Sequence, residues 1–332
     1  MKKTKQYISL LLAAFMAAGL SSCIKEDYAG ASDETATVNL VFDTRASGQD
    51  GDKVQGEANE GIKTLRVIIV DTEKGIVDVN ETRNFSSDGG DEFTKTLTIM
   101  GLPAGKKSFY IVANEESVGL ELNSSLPKGE INLSDTLQFL QTLVESKNFP
   151  RTDIAAKGLP IAGTASANIT GAEDQTIEIP ITRAVAKMEL TLTNATGGDF
   201  ELNQVVLGSF FANSTYLFPQ ETALTLPGEV AYEGHRFQTN ETLSDGASQT
   251  FHFYFYESNA KGRVYTIALN AGADYAAAPI MLDEDTPLAS VARNTCLRVT
   301  GTIESVLEPV VTDLQLLVVP WTEKNIDVPS FE

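Results

Sequence analysis

Short β-branched runs, each closed by a turn signal and recurring about every ten residues from Thr37 to Val319, constrain this chain more than any other feature. Thr37-Val38-Asn39-Leu40-Val41-Phe42 is the first, and Ile62 to Val70 (IKTLRVIIV), bounded by Gly61 and Asp71, is the most β-branched. Ile76 to Val79, Thr94 to Met100 and Ser108 to Ala113 follow at hairpin distances, with turns at Asp88-Gly89-Gly90 and Pro103-Ala104-Gly105. After an interruption come Thr176–Ile181, Ala186–Thr193, Gln204–Phe211, Thr250–Tyr256, Val264–Leu269, Thr295–Ile303 and Leu314–Val319. Strands of this length and spacing read as β-sandwiches, and 332 residues hold two of them in series. One helix is predicted between: Ser134 caps it, Asp135 suits its first turn, and Leu137, Leu140, Leu143 and Val144 share a face before Asn148 and Pro150 stop it.

Two stretches depart from the pattern. Residues 45–61 (RASGQDGDKVQGEANEG) carry four Gly and only one large apolar residue, Val54, and read as an exposed, mobile linker open to proteolysis. At the other end, Leu314-Gln315-Leu316-Leu317-Val318-Val319-Pro320-Trp321 is apolar where termini are usually polar, so it needs a partner in this chain or another.

The amino terminus is a secretory signal. Lys2, Lys3 and Lys5 precede an apolar run from Ile8 to Leu20, too short for a bilayer core that takes about 20 apolar residues. Leu20-Ser21-Ser22-Cys23 resembles the lipobox of bacterial lipoproteins, which implies cleavage after residue 22 and acylation of Cys23. Ile24 to Asp33 is charged, then polar, as suits a tether to a membrane. Hydrophobic residues make up 42% of the sequence, a globular composition. The formal charge is −20, about −23 without the signal, which opposes nucleic acid and anionic lipid as partners. Cys296 would be the only thiol left for pairing, so no internal disulfide is expected.

Candidates for chemistry are few. Gly101 to Ser108 (GLPAGKKS) resembles a P-loop, but its glycines are one residue too close and Ser108 opens a strand rather than a helix, so a hairpin turn is expected. His235 and His252 are the only histidines, and His252 sits within an aromatic strand (FHFYFY). No G-x-S-x-G, H-E-x-x-H or C-x-x-C occurs, and Asp283-Glu284-Asp285 reads as a solvated turn. No catalytic, cofactor-binding or metal-binding residue is assigned, and the chain is not expected to be an enzyme.

The order of elements resembles the fimbrillins of the Bacteroidetes, the type V pilins. After the lipobox come the strand Thr37–Thr44, Arg45-Ala46 with an acidic loop, and IKTLRVIIVD; then SFYIVAN (Ser108–Asn114), ITRAVAKMELTLTN (Ile181–Asn194), ARNTCLRVTGTI (Ala292–Ile303) and LQLLVVPWTEKNIDV (Leu314–Val328). The resemblance implies a mainly β fold of two tandem transthyretin-like/Greek-key β-sandwich domains. Residues 1–22 would be the signal, 23–45 a lipidated propeptide with the first strand, 46–182 the first sandwich, and 183–332 the second with a donor segment. It implies a structural subunit, with a stalk favoured over a tip or anchor. Such a precursor is lipidated at Cys23, cut after Arg45 to begin at Ala46, and polymerised when its carboxyl-terminal strand fills a neighbour's groove. The donor would include Leu314, Leu316, Leu317, Val318, Val319, Trp321, Ile326 and Val328. Lys53 and Lys63 are alternative basic sites for the cut, and Leu314 to Val319 could instead close the second sandwich, leaving Trp321 onward to donate. The implied partners are other fimbrial subunits, the outer membrane through the lipid, and host or bacterial surface ligands. The alternative function is a monomeric surface lipoprotein binding glycan or host protein through aromatics of Phe251–Tyr256 or near Tyr216.

Overall fold

The computed structural model describes residues 34–44, 54–55, 60–84, 96–120, 129–130, 143–145, 151–171, 173–222, 224–228, 230–259, 262–271, 277–282, 285–305 and 311–322. Its strands are β1 (Thr35–Thr44), β2 (Val54–Gln55), β3 (Thr64–Asp71), β4 (Ile76–Asn84), β5 (Thr96–Pro103), β6 (Gly105–Ala113) and β7 (Gly129–Glu130). There follow β8 (Leu143–Glu145), β9 (Ile161–Ile169), β10 (Gln175–Arg183), β11 (Val185–Asn194), β12 (Phe200–Ala212), β13 (Ser214–Tyr216) and β14 (Tyr232–Leu243). The last are β15 (Ser248–Tyr256), β16 (Ser258–Asn259), β17 (Thr266–Asn270), β18 (Ala278–Pro279), β19 (Ser290–Val291), β20 (Thr295–Ile303) and β21 (Val311–Thr322). A 3-10 turn, Glu115–Val118, and one short helix, α1 (Arg151–Lys157), complete the described elements.

The fold is mainly β, as expected, with sheets stacked as sandwich layers. An eight-stranded sheet runs β5-β1-β10-β9-β6-β3-β4-β7. One core cluster takes Val38, Leu40 and Phe42 from β1, Ile179 and Ile181 from β10, Leu65, Val67 and Ile69 from β3, and Phe109 and Ile111 from β6. Both halves of the sheet feed one core, so the sheet folds over on itself. Gly163 marks the close approach of β9 to β10, because a Cβ there would lie 2.1 Å from the Pro180 carbonyl oxygen. A five-stranded sheet, β15-β11-β20-β21-β2, faces a four-stranded one, β14-β12-β17-β18, across a second core that includes Met188, Leu190, Phe200, Leu207, Phe253 and Val299.

Strands β3 and β6 are buried on both faces, which explains the unbroken apolar run IKTLRVIIV. Leu65, Val67 and Ile69 enter the first core, while Ile68 and Val70 enter a third cluster with Tyr110, Val112, Phe218, Tyr254 and Tyr256. That third cluster joins the folded-over sheet to the five-stranded one. Chain membership of the sheets changes at Ala184, between β10 and β11.

Several expectations need correction. Leu143 and Val144 do not extend a helix: Leu143–Glu145 is a strand paired with Ser214–Tyr216, where a tertiary partner outweighs helical periodicity. Ser134 to Leu140, the rest of that expected helix, lies outside the described residues. β5 and β6 turn at Ala104 but do not pair as a hairpin; β5 pairs with β1, and β6 with β3 and β9. The stretch 45–61 is not wholly an exposed linker, since Val54–Gln55 pairs with β21 and Glu60 is fully buried. The aromatics of FHFYFY are no ligand platform: Phe253 and Phe255 fill one core and Tyr254 and Tyr256 another. Tyr216 is half-buried.

Candidate assembly groove and donor strand

Strand β1 alternates strictly, and its inward residues Ala36, Val38, Leu40 and Phe42 are 5%, 0%, 0% and 1% exposed. It lies between two strands rather than at an edge. On one side Val38 to Thr44 runs parallel to Gln175–Ile181 of β10. On the other, Thr35 to Val41 runs antiparallel to Pro103–Thr96 of β5, with a bulge at Met100-Gly101, where Gly101 takes φ 69°. Asn39 and Thr98 meet side chain to side chain at 2.8 Å across that pair. Parallel pairing to β10 brings together segments far apart in sequence; β10 has β9 as a second partner, whereas among the described residues β5, at the end of the sheet, pairs with β1 alone. Withdrawing it would leave two unpaired edges and a trough shaped by one small, two middle-sized and one large side chain.

The residue after β1 is Arg45; Arg45, Ala46 and Cys23 all lie outside the described residues. Glu60 is fully buried. Its Oε1 accepts from Lys187 Nζ at 2.8 Å and from Tyr254 Oη at 2.6 Å, tying the start of the first sandwich to β11 and β15. Asn114, buried at φ 58°, then accepts from the backbone N–H groups of Lys63 and Thr64 at 2.8 and 3.2 Å and donates to the carbonyls of Gly61 and Leu159. Lys63 therefore sits in a hydrogen-bonded, half-buried segment and is poorly placed for a protease that must draw substrate into extended form. Nothing local in the sequence marked Glu60 or Lys187 as buried partners; they are separated by more than a hundred residues.

At the other end, β21 pairs antiparallel with β20 from Val311 to Pro320, and its last residues Trp321 and Thr322 pair with Val54 and Gln55 of β2. Leu314 and Leu316 pack against the second core, whereas Leu317 and Val318 are 48% and 45% exposed. Val319 and Trp321 lie within the strand; Ile326 and Val328 lie outside the described residues. Among the described residues, two-residue β2 is the one strand paired with β21 besides β20.

Two buried charge clusters are structural. Lys107, read above as part of a turn, is fully buried and bridges Asp71 at 2.7 Å and Asp78 at 2.6 Å across β6, β3 and β4. Burial pushes the Asp71 carboxyl up, but the Lys107 ammonium and the backbone N–H groups of Lys74 and Glu73 outweigh it and hold the pKa below its ordinary value. Lys107→Met, which strands the buried Asp71 carboxylate and leaves the partly buried Asp78 without this partner, should cost about 3–5 kcal/mol in a urea melt. Because Asp71 titrates lower when folded, its contribution is present above the unfolded carboxylate pKa and fades as pH falls through the folded value. The mutant's deficit should therefore shrink in melts at progressively lower pH. Arg293 is a second such hub, donating to Glu257 and to the carbonyls of Leu217 and Tyr216. Burial pushes the Cys296 thiol up to about 12, so it is inert as a nucleophile. His252 lies 4.0 Å from Glu189, and His235 meets Phe237 edge to face with ring centroids 4.7 Å apart. Asp283 and Glu284 lie outside the described residues, and no metal-holding group of three His, Cys, Asp or Glu occurs among the described ones.

Fold and site together define a layered β-sandwich protein whose first strand is inserted between two later ones. Residues 36–198 match the family described as major fimbrial subunit protein (FimA). The chain is 25% identical to the major fimbrium subunit FimC of Porphyromonas gingivalis over 342 aligned residues, covering 96% of this chain and 70% of that one. In fold it is similar to the tip fimbrial protein Mfa3 of P. gingivalis (TM-score 0.55, 16% identity, covering 86% of this chain and 100% of the other). It is likewise similar to a fimbrilin (fimA) of P. gingivalis W83 (TM-score 0.53, 14% identity, covering 89% and 100%). By these matches the chain is related to the fimbrillins of Bacteroidetes, which are structural fimbrial subunits and not enzymes.

Proposed function

We propose that this fimbrial subunit is a stalk component of cell-surface fimbriae, made as an outer-membrane lipoprotein precursor with lipid on Cys23. A cut after Arg45 removes β1 together with the lipid, and the carboxyl-terminal strand of a second subunit fills the vacated trough. The donor is Leu314 to Val328, with Leu314, Leu316, Leu317, Val318, Val319, Trp321, Ile326 and Val328 supplying its apolar side chains. The domain division at 182/183 belongs to the same proposal. The observation that carries it is the position of β1: the first described strand, with one face of alternating side chains buried, paired on both sides, and continuing in sequence into Arg45. Strand addition satisfies the two exposed edges and refills the side-chain sites at once. Donor and acceptor then lie at opposite ends of one chain, so the contact is head-to-tail and propagates as a filament.

The amino terminus of the protein on intact cells tests the proposal. A chain starting at Ala46 is expected in sheared fimbriae. Acylated Cys23 as the sole amino terminus would replace the stalk with an anchor or a monomeric lipoprotein.

A further inference from the structure

The two walls beside β1 are not equally supported. On the β10 side, Ile181, Thr182 and Arg183 pair with Gly163, Ala162 and Ile161 of β9, and β9 in turn pairs along its whole length with β6. Arg183 is buried and donates to Asn294 at 3.1 Å. These bonds are independent of β1, and they lie beside its Phe42 end, where Phe42, Asp43 and Thr44 meet Ile179, Pro180 and Ile181. On the other side, β5 has no such anchor. Among the described residues its ladder is made with β1 alone, over Thr35 to Val41. Its fully enclosed side chains are Ile99 and Leu102, while Met100 is 81% exposed. Gly105, at φ 132°, then opens β6. Without β1, the eight residues of β5 would be held in place chiefly by those two side chains, with no ladder bond. Backbone entropy, charged on every residue, opposes that.

Given that β1 is the strand exchanged, on which this rests, we infer that β5 is a flap and that the Phe42 site is the fixed end of the trough. An incoming strand docks first against Ile179–Ile181, extends parallel to β10 toward the Ala36 site, and is covered by β5 last. The Asn39–Thr98 hydrogen bond of 2.8 Å belongs to that last closure. Withdrawal runs in the reverse order. The acceptor is therefore completed by the strand that enters it, and an empty one offers other strands a rail held at one end rather than an open slot.

Native-state hydrogen exchange on the intact chain, read by mass spectrometry, tests the order, because the last contacts to form are the first to open. Leu97–Leu102 of β5 and Ala36–Asn39 of β1 are expected to exchange through one common opening, about tenfold or more faster than Ile181–Arg183 and Phe109–Ile111. Leu40→Ala should speed both segments by a shared factor of about tenfold or more and leave Ile181–Arg183 unchanged. Ile99→Ala, confined to β5, should speed β5 and leave Phe42–Thr44 at the parent rate, and it serves where Leu40→Ala does not fold. Exchange of β5 at the parent rate in either variant would overturn the flap. So would a rise of Ile181–Arg183 by the same factor, since the sandwich would then open as one body. Ladders of processed subunits from cells, scored on non-denaturing gels, separate this from the assembly reading. Ladders without the common opening remove the flap alone; the common opening without ladders keeps the flap and removes strand exchange.

Discussion

A chain that begins at Ala46 is expected to lose its monomeric stability, bind a hydrophobic dye and form ladders, and to be returned to a monomer by a peptide spanning residues 35–44. The magnitude follows from what β1 buries. Val38, Leu40 and Phe42 are fully enclosed, and at about 1.5–3 kcal/mol per side chain their exposure costs roughly 5–9 kcal/mol. That is comparable to the whole stability of an ordinary domain, about 5–15 kcal/mol. To it are added the unpaired edges of β5 and β10, which face each other across the empty trough. Such a subunit refills the trough or opens its first sandwich, and a second chain is the filler at hand. Phe42→Ala in the added peptide should weaken rescue most, because the largest site is then half empty, a change worth about 3–5 kcal/mol in a packed core. Thermal melts with and without peptide measure it. An Ala46 chain that stays monomeric at the intact chain's melting temperature would remove the groove from the argument.

How much of this was legible in the sequence depends on whether the signal is local. The alternation of Ala36, Val38, Leu40 and Phe42 is local, and so is the two-sided burial of β3, written as an unbroken β-branched run. The apolar carboxyl terminus was likewise visible as a strand in want of a partner, and the structure gives it two, β20 and β2. Pairing partners were not visible. β1 meets β10 across most of the first half of the chain, and neighbouring β5 and β6 decline to form the hairpin that their spacing suggests. The buried ions were missed for the same reason. Lys107 and Glu60 read as solvated charges until Asp71, Asp78, Lys187 and Tyr254 arrive from other strands. The segment around Leu143 read as a helix because its apolar spacing fits one, yet its pairing with β13 is decided from 70 residues away. The site itself is composite in this sense: its side-chain pattern is written in β1, but its walls are written elsewhere.

Deleting residues 314–332 is expected to abolish ladders from the Ala46 chain, though by itself that result would be ambiguous. Leu314 and Leu316 help close the second core, so the deletion also uncovers that sandwich and lowers its melting temperature. The outward residues separate the two effects. Leu317 and Val318 are about half in water, and replacing them should disturb the monomer by about 1 kcal/mol or less. In a neighbour's trough the same strand would be enclosed on both edges and one face, where a charge without a partner is strongly disfavoured. Leu317→Asp with Val318→Asp is therefore expected to leave the uncut monomer's urea midpoint nearly unchanged while removing ladders from the cut chain. If the double variant forms ladders at the normal rate, those residues do not enter the trough, and donation must come from beyond Thr322. A parallel cut of the chain after Thr322 decides that case: it should spare ladders if β21 itself donates, and abolish them if the following residues do.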